Sequence, residues 1–171
     1  MSTSSNPLPT VEQVSEIPTT KTLLVPPEFL DENQHMNIAH YLTFGARAVG
    51  SRCDELGLGD QAYIGDRRLT VFTAEHHIRY FAELLLGQEL SVHVRMLERS
   101  VKVLHAMAFL VNRSTEALAC TLEVALVHVG MDTRRPQSFP EDIARRIDEA
   151  IKADAYSWPA PVCGVMGVHR R

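Results

Sequence analysis

The sequence has little of what would place it outside the ordinary soluble proteins. Its 171 residues include three cysteines, Cys53, Cys120 and Cys163, an odd number with no C-x-x-C pair. This argues against a disulfide framework and a cysteine zinc site, and it favours a reducing, cytoplasmic location. Apolar runs stay well short of the ~20 residues of a membrane span, and no signal-peptide pattern precedes them. The net charge of −4 argues against a broad binding surface for nucleic acid or anionic membranes.

The chain divides by composition into one patterned domain and two weaker ends. Residues 1–20, rich in Ser, Thr and Pro, predict a flexible N-terminal tail. Residues 21–135 carry the periodic segments and predict a single domain. Residues 136–171 predict a C-terminal helix, from Glu141 to Ile151, followed by a tail.

One long helix and several strands account for the periodic domain. Apolar spacings of mostly three and four predict a helix from about residue 38 to 56, with Asn37 as N-cap and Gly57 at its end. Close packing against a sheet is the favoured reason for Gly45 and Gly50 within it, over room for a ligand. Strands are predicted at residues 22–25, 69–81, 90–96, 101–111 and 118–129. The last two strands are apolar at both odd and even positions, which predicts that both of their faces are covered. One helix and one sheet that bury each other predict a two-layer α+β domain.

The densest group of titratable residues lies between the first strand and the helix. It is the run Asp31-Glu32-Asn33-Gln34-His35-Met36-Asn37. The free amides and the dipole of a helix N-terminus favour negative charge, including that of a carbonyl oxygen in a transition state. The position suits a reaction site, although loops before helices are also polar because of their turn and capping residues.

The spacing in this run resembles a family signature. Asp31, His35, Met36 and Asn37, with Tyr41 in the helix, are similar to the D-x-x-G-H-(V/M)-N-x-x-x-Y motif of hotdog-fold acyl-CoA thioesterases of the 4-hydroxybenzoyl-CoA thioesterase type. Residues 75–80 and 87–90 look like two further stretches of that family. The resemblance covers about residues 20–135 and includes the betainyl-CoA thioesterases. Gln34 replaces the usual glycine, so a position that requires positive φ would be strained or reshaped.

The resemblance implies a hotdog fold, in which a curved, mostly antiparallel sheet of five or six strands wraps a long central helix. It implies hydrolysis of a small acyl-CoA by a homodimer or dimer of dimers, with no cofactor beyond the CoA of the substrate. Asp31 is the implied catalytic carboxylate, as nucleophile or general base, with backbone amides around Asn37 polarising the carbonyl. Glu75, from the partner subunit, is the second catalytic candidate. The candidate substrate-binding residues are His35, Asn37, Tyr41, His77, Arg99 and Lys102.

Each of these residues also has a structural alternative. His35 and Asn37 could be turn and cap residues, Tyr41 a core residue, and Glu75 with His77 an exposed strand face. Arg99 and Lys102, near one hairpin with Arg95, could be ordinary surface charge, as could Arg79. The histidines show no zinc-motif spacing, so no metal site is expected. Four aromatic residues could form a wall that faces a quaternary ammonium ion, or they could simply be core residues: Tyr41, Phe44, Tyr80 and Phe81.

Two other functions stay open from the sequence. A hotdog enoyl-CoA hydratase or dehydratase has an Asp-x-Asn-Pro-x-His loop, and Asp31-Glu32-Asn33 matches its start. Here the proline is missing, and His35 follows Asp31 by four residues instead of five. A non-catalytic subunit that binds acyl thioesters is the third candidate, because a fold alone does not fix a function.

Overall fold

The helices and strands follow the order expected for one helix and one sheet. The computed structural model describes residues 7–168. Its helices are α1 Val11–Ser15, α2 Ile38–Glu55 and α3 Glu141–Ala153. Its strands are β1 Thr19–Leu24, β2 Leu69–Tyr80, β3 Glu89–Arg99, β4 Val103–Asn112, β5 Ala117–Gly130 and β6 Arg135–Pro136. None of the helices in this part of the chain is long and apolar enough to cross a membrane.

The strands form one antiparallel sheet in the order β1-β3-β4-β5-β2, with β6 paired to the end of β5. The register of β2 on β5 runs from Leu69 opposite Gly130 to Tyr80 opposite Cys120, with an irregularity between Thr73 and Glu75. In the described residues, β2 has a strand on one side only. The longest exposed edge of the sheet is therefore the outer edge of β2.

Both faces of the sheet centre are buried, as the sequence predicted. On β4, the residues facing α2 alternate with those facing the opposite side, here called the outer face. Leu104, Ala106, Ala108 and Leu110 belong to the core with α2. Met107, Phe109 and Val111 pack on the outer face against Val14, Ile17 and Trp158. Burying each large apolar side chain contributes about 1.5–3 kcal/mol, so both layers stabilise the sheet.

Helix α2 has the predicted ends, and its two internal glycines have different environments. Asn37 caps the helix by accepting a hydrogen bond from the Ala39 amide, and Gly57 follows the helix with a φ of +83°. A Cβ on Gly45 would lie 2.7 Å from Leu122 Cδ2, which confirms close packing against the sheet. A Cβ on Gly50 would meet no atom within 4 Å. The favoured explanation therefore holds for Gly45 and not for Gly50.

The structure corrects the two predicted tails. Residues 1–6 and 169–171 lie outside the described residues. From residue 7, the N-terminal segment is ordered: a capping box between Thr10 and Gln13 starts α1, and Val14 and Ile17 are buried. After α3, Trp158 is buried on the outer face, where the Arg95 guanidinium lies 4.8 Å from its ring centre. Composition did not predict that these two segments pack against the domain, because only a few apolar side chains in each segment make the contacts.

Candidate functional site

The polar run before α2 folds into a tight loop that holds Asp31. The Asp31 amide donates to the His35 carbonyl, and the Gln34 amide donates to the Asp31 carbonyl, both at 3.0 Å. Gln34 has a φ of +64°, in the left-handed region that favours glycine. The loop thus keeps the backbone expected for the family's glycine, and Gln34 bears a strain of about 1–2 kcal/mol.

Each oxygen of the Asp31 carboxylate has a polar neighbour within the loop. Its Oδ1 accepts a hydrogen bond from the Asn33 amide at 2.9 Å. Its Oδ2 lies 3.6 Å from His35 Nδ1, and the Asp31 side chain is only 11% exposed. The loop therefore orients a largely shielded carboxylate beside an imidazole, an arrangement suited to nucleophilic or general-base chemistry.

The amides at the start of α2 are mostly engaged. The Met36 amide donates to the Leu84 carbonyl, and the Asn37 amide to the Phe29 carbonyl. The Ala39 and His40 amides both donate to Asn37. Among the described residues, no acceptor is present for the Ile38 amide. Of the backbone amides around Asn37 that are expected to polarise a carbonyl, the Ile38 amide is therefore the candidate donor, because Asn37 itself acts as the cap.

A cleft of about 280 Å³, here called the loop cleft, opens beside this helix start. It is lined by His35, Met36, Ile38, Tyr41, Tyr80, Phe81, Ala82 and Glu83. Tyr41 is 3% exposed and packs edge-on to Tyr80 at 5.3 Å, and burial raises the pKa of Tyr41 to about 12. Tyr41 is therefore a neutral core residue that forms the cleft wall, whereas the Tyr80 ring is 45% exposed.

A second, larger cavity of about 450 Å³ lies between α2 and strands β2 and β5. This helix cavity is mostly apolar, and Gly50 leaves space on its helix side. Its polar lining groups include Asp54, Thr73 and His76. The alternative explanation for a glycine within this helix, room for a ligand, therefore fits Gly50.

Glu75 and His77 do not join Asp31 within one chain. His76 lines the helix cavity, whereas His77 Nδ1 lies 4.0 Å from Glu123 Oε2 on the outer face. Glu75 has the strand parity of His77 and lies opposite Ala125. It also precedes Tyr80 by five residues, or about 17 Å along the strand. Its predicted catalytic role therefore depends on a partner subunit.

The two predicted phosphate-binding cations lie far from the loop cleft in one chain. Arg99, at the far end of β3 from Glu89, is about 30 Å along the strand from the end that adjoins the loop. Its guanidinium already binds both oxygens of Asp148, at 2.6 and 2.5 Å. Lys102 is exposed, with no ion pair among the described residues. Arg79 lies closer, because its guanidinium is 5.0 Å from the ring centre of Phe81, which lines the loop cleft.

A long helix packed across an antiparallel sheet, with a carboxylate-bearing loop before the helix, defines the hotdog class. Comparison with known sequences agrees, because residues 25–147 match the thioesterase-like superfamily. The chain belongs to this superfamily and is a thioesterase, a hydrolase. The predicted fold and enzyme class are confirmed, and the hydratase and the non-catalytic subunit are not supported.

Individual relatives show the same likeness. A betainyl-CoA thioesterase of Pseudomonas aeruginosa is 29% identical over 157 residues, 91% of this chain and 98% of that protein. An L-carnitine dehydrogenase/betainyl-CoA thioesterase of Ruegeria pomeroyi is 32% identical over 77% of this chain and 26% of that protein. A Staphylococcus aureus protein solved in complex with CoA superposes with a TM-score of 0.79 and 28% identity, covering 90% of this chain and 97% of that one.

Proposed function

We propose that this protein hydrolyses a small acyl-CoA thioester to a free acid and CoA, with Asp31 as the catalytic carboxylate. One observation carries the proposal: the loop holds the Asp31 carboxylate at the start of α2, shielded and oriented by the Asn33 amide. His35 connects it to the loop cleft. Two similar proteins, a betainyl-CoA thioesterase and a protein solved in complex with CoA, support the substrate class.

The position of Asp31 in the loop suggests the steps of the hydrolysis. Asp31 attacks the thioester carbonyl carbon, or takes a proton from a water that does. The carbonyl oxygen gains negative charge, which the free Ile38 amide and the positive end of α2 stabilise. The C–S bond then breaks and CoA leaves as its thiolate. If Asp31 is the nucleophile, water then hydrolyses the acyl–Asp31 anhydride; if Asp31 is the base, the water already added gives the free acid directly. No cofactor beyond the CoA of the substrate enters these steps.

The site is completed, in this proposal, by a second copy of the chain. The outer edge of β2 is long, and Phe72 and Tyr80 on this strand are 43% and 45% exposed. An exposed edge of this kind favours antiparallel pairing with its own copy about a twofold axis. Antiparallel pairing along this edge would bring the Tyr80 end of one protomer toward the Leu69 end of the other, and an offset toward the Tyr80 ends would bring the partner's Glu75 beside the loop cleft. The loop cleft of one subunit would then adjoin the helix cavity of its partner.

For the acyl group, betainyl is the first candidate. The Tyr80 ring and Phe81 face the loop cleft, and aromatic faces attract quaternary ammonium ions. The likeness to a betainyl-CoA thioesterase over nearly the whole chain supports the same choice. The proposed location is the cytoplasm, which three unpaired cysteines support.

The reaction is tested by thiol release over a panel of acyl-CoAs with short, branched, aromatic and betainyl groups. Asp31→Asn should lower kcat by about 10²–10⁴-fold while circular dichroism stays unchanged. Glu32→Gln, which changes the adjacent exposed carboxylate, is the matched control and should retain activity. Near-normal turnover by Asp31→Asn would contradict the assignment.

The acyl preference is tested with two substrates of nearly equal shape. Betainyl-CoA and 3,3-dimethylbutanoyl-CoA differ in having a cationic nitrogen or a neutral carbon at the branch. Tyr80→Leu should reduce the kcat/KM ratio between them by about 2- to 30-fold, the range expected for one cation–π contact. An unchanged ratio would remove Tyr80 from ammonium recognition.

The shared site is tested by oligomeric mass and by mixing. Sedimentation should give a dimer or a dimer of dimers. Glu75→Gln should impair turnover, and equilibrated mixtures with Asp31→Asn should regain part of the activity in mixed dimers. A monomeric enzyme with full activity would refute the shared site, and an absence of recovery would remove Glu75 from it.

A further inference from the structure

A second group of chemically active side chains lies on the outer face, apart from the Asp31 loop. His77 on β2, Glu123 on β5 and Cys163 in the C-terminal segment each offer one ligand atom, and these atoms lie within 4.8 Å of one another. The three residues come from distant parts of the sequence. None has a role in the proposed hydrolysis as the structure places them.

Glu123 is the fixed member of this group. The residue is 1% exposed. Its Oε1 lies 2.9 Å from His105 Nε2, and its Oε2 accepts a hydrogen bond from the Cys163 amide at 2.8 Å. His105 Nδ1 lies in turn 3.2 Å from Glu98 Oε1. The carboxylate is therefore oriented by a chain of polar contacts, as metal-binding carboxylates are.

We propose that His77, Glu123 and Cys163 bind a divalent metal ion of the zinc type. Imidazole nitrogen, carboxylate oxygen and thiolate sulfur are the three ligand types that zinc takes from proteins. The thiolate and the carboxylate together neutralise the charge of a divalent ion. This site goes beyond the proposed hydrolysis and does not depend on it.

The distances are within reach of coordination. Tetrahedral bonds of about 2.0–2.3 Å to zinc place ligand atoms roughly 3.3–3.7 Å apart. His77 Nδ1 and Glu123 Oε2 are 4.0 Å apart. The widest separation in the group, at most 4.8 Å, therefore has to close by about 1.5 Å or less. His77 and Cys163 are both partly exposed, whereas Glu123 is buried.

A bound ion would connect three separate parts of the fold. It would tie the C-terminal segment, through Cys163, to the exposed edge strand β2 and to the central strand β5. Metal binding to the folded state alone stabilises that state. The expected role is therefore a structural clamp on the outer face, with one ligand on β2, the strand proposed to form the dimer.

The test uses the full-length protein, freed of metal with a chelator and then titrated with Co²⁺ and with Zn²⁺. We expect one ion per chain, a thiolate-to-cobalt charge-transfer band and a higher Tm. His77→Gln and Cys163→Ser should each weaken binding at least 100-fold. Glu98→Gln, which acts through His105, should weaken it by about 10-fold or more. His76→Gln, the neighbouring histidine on the other face of β2, is the control and should bind normally.

Two results would overturn the proposal. One is binding of equal strength in the His77→Gln, Cys163→Ser and His76→Gln proteins. The other is Co²⁺ binding without a sulfur charge-transfer band, because it would remove Cys163 from the ligands. Circular dichroism of each variant separates a lost ligand from a lost fold, and Cys163→Ser retains the backbone amide that holds Glu123.

Discussion

Alanine at the two glycines of α2 should change stability in different ways. A glycine-to-alanine change inside a helix stabilises it by about 1 kcal/mol. At Gly50 this gain should remain, because the new methyl group would meet no atom within 4 Å. At Gly45 the methyl group would lie 2.7 Å from Leu122 Cδ2 and 3.3 Å from Leu122 Cβ. Leu122 is fully buried, so it cannot turn away into solvent.

Overpacking of this kind costs about 1–3 kcal/mol. Gly45→Ala should therefore lie between no change and a loss of about 2 kcal/mol, whereas Gly50→Ala should gain about 1 kcal/mol. The difference of about 1–3 kcal/mol corresponds to roughly 2–12 °C in Tm for a chain of this size.

The assay is urea and thermal unfolding followed by circular dichroism. Protein concentration must be matched, because association shifts apparent stability. If Gly45→Ala is as stable as Gly50→Ala, the packing argument is wrong. A loss of stability in Gly50→Ala would instead show that another surface closes on that position.

Three further outcomes follow from single residues. Gln34→Gly should gain up to about 1 kcal/mol in urea unfolding, because relief of the left-handed strain exceeds the added backbone entropy of glycine; a loss would contradict this. Burial lowers the pKa of His93 and of His128, so the unfolded state binds more protons below about pH 6.5. Stability should therefore fall as the pH drops from about 6.5 toward 5, and replacing either ring by Gln should make the fall shallower; an unchanged slope would contradict this. Arg99→Ala should leave KM for acyl-CoA unchanged, because Asp148 already binds its guanidinium; a raised KM would restore Arg99 as a phosphate contact.

Local pattern predicted much of the fold. The apolar spacing, Asn37 and Gly57 located α2 to within a residue at each end, since caps and periodicity are properties of a short stretch of chain. The strands were found in the same way. The N-terminal segment was missed because its order depends on burying Val14 and Ile17 against β4, a contact that composition does not reveal.

The site was predicted in part. The Asp31 loop was found because its residues are neighbours in sequence and precede a helix. Arg99 and Glu75 were harder to place. Most of strand β3 separates Arg99 from the loop, and five residues of β2 separate Glu75 from Tyr80 at the loop cleft. These distances become clear only once the strands are placed in the sheet. Gly50 had a favoured explanation that failed, because the sequence does not distinguish a glycine that packs from one that borders a cavity.

The sequence by itself determined the elements, their order and the polar loop, because these follow from residues within a few positions of one another. The tertiary structure decided which side chains meet. Strand alternation alone separates His76 from His77, but only the folded chain brings His77, Glu123 and Cys163 together across separate parts of the sequence. No motif spacing marks that group, because its proximity arises from strand pairing and from the path of the C-terminal segment over the outer face.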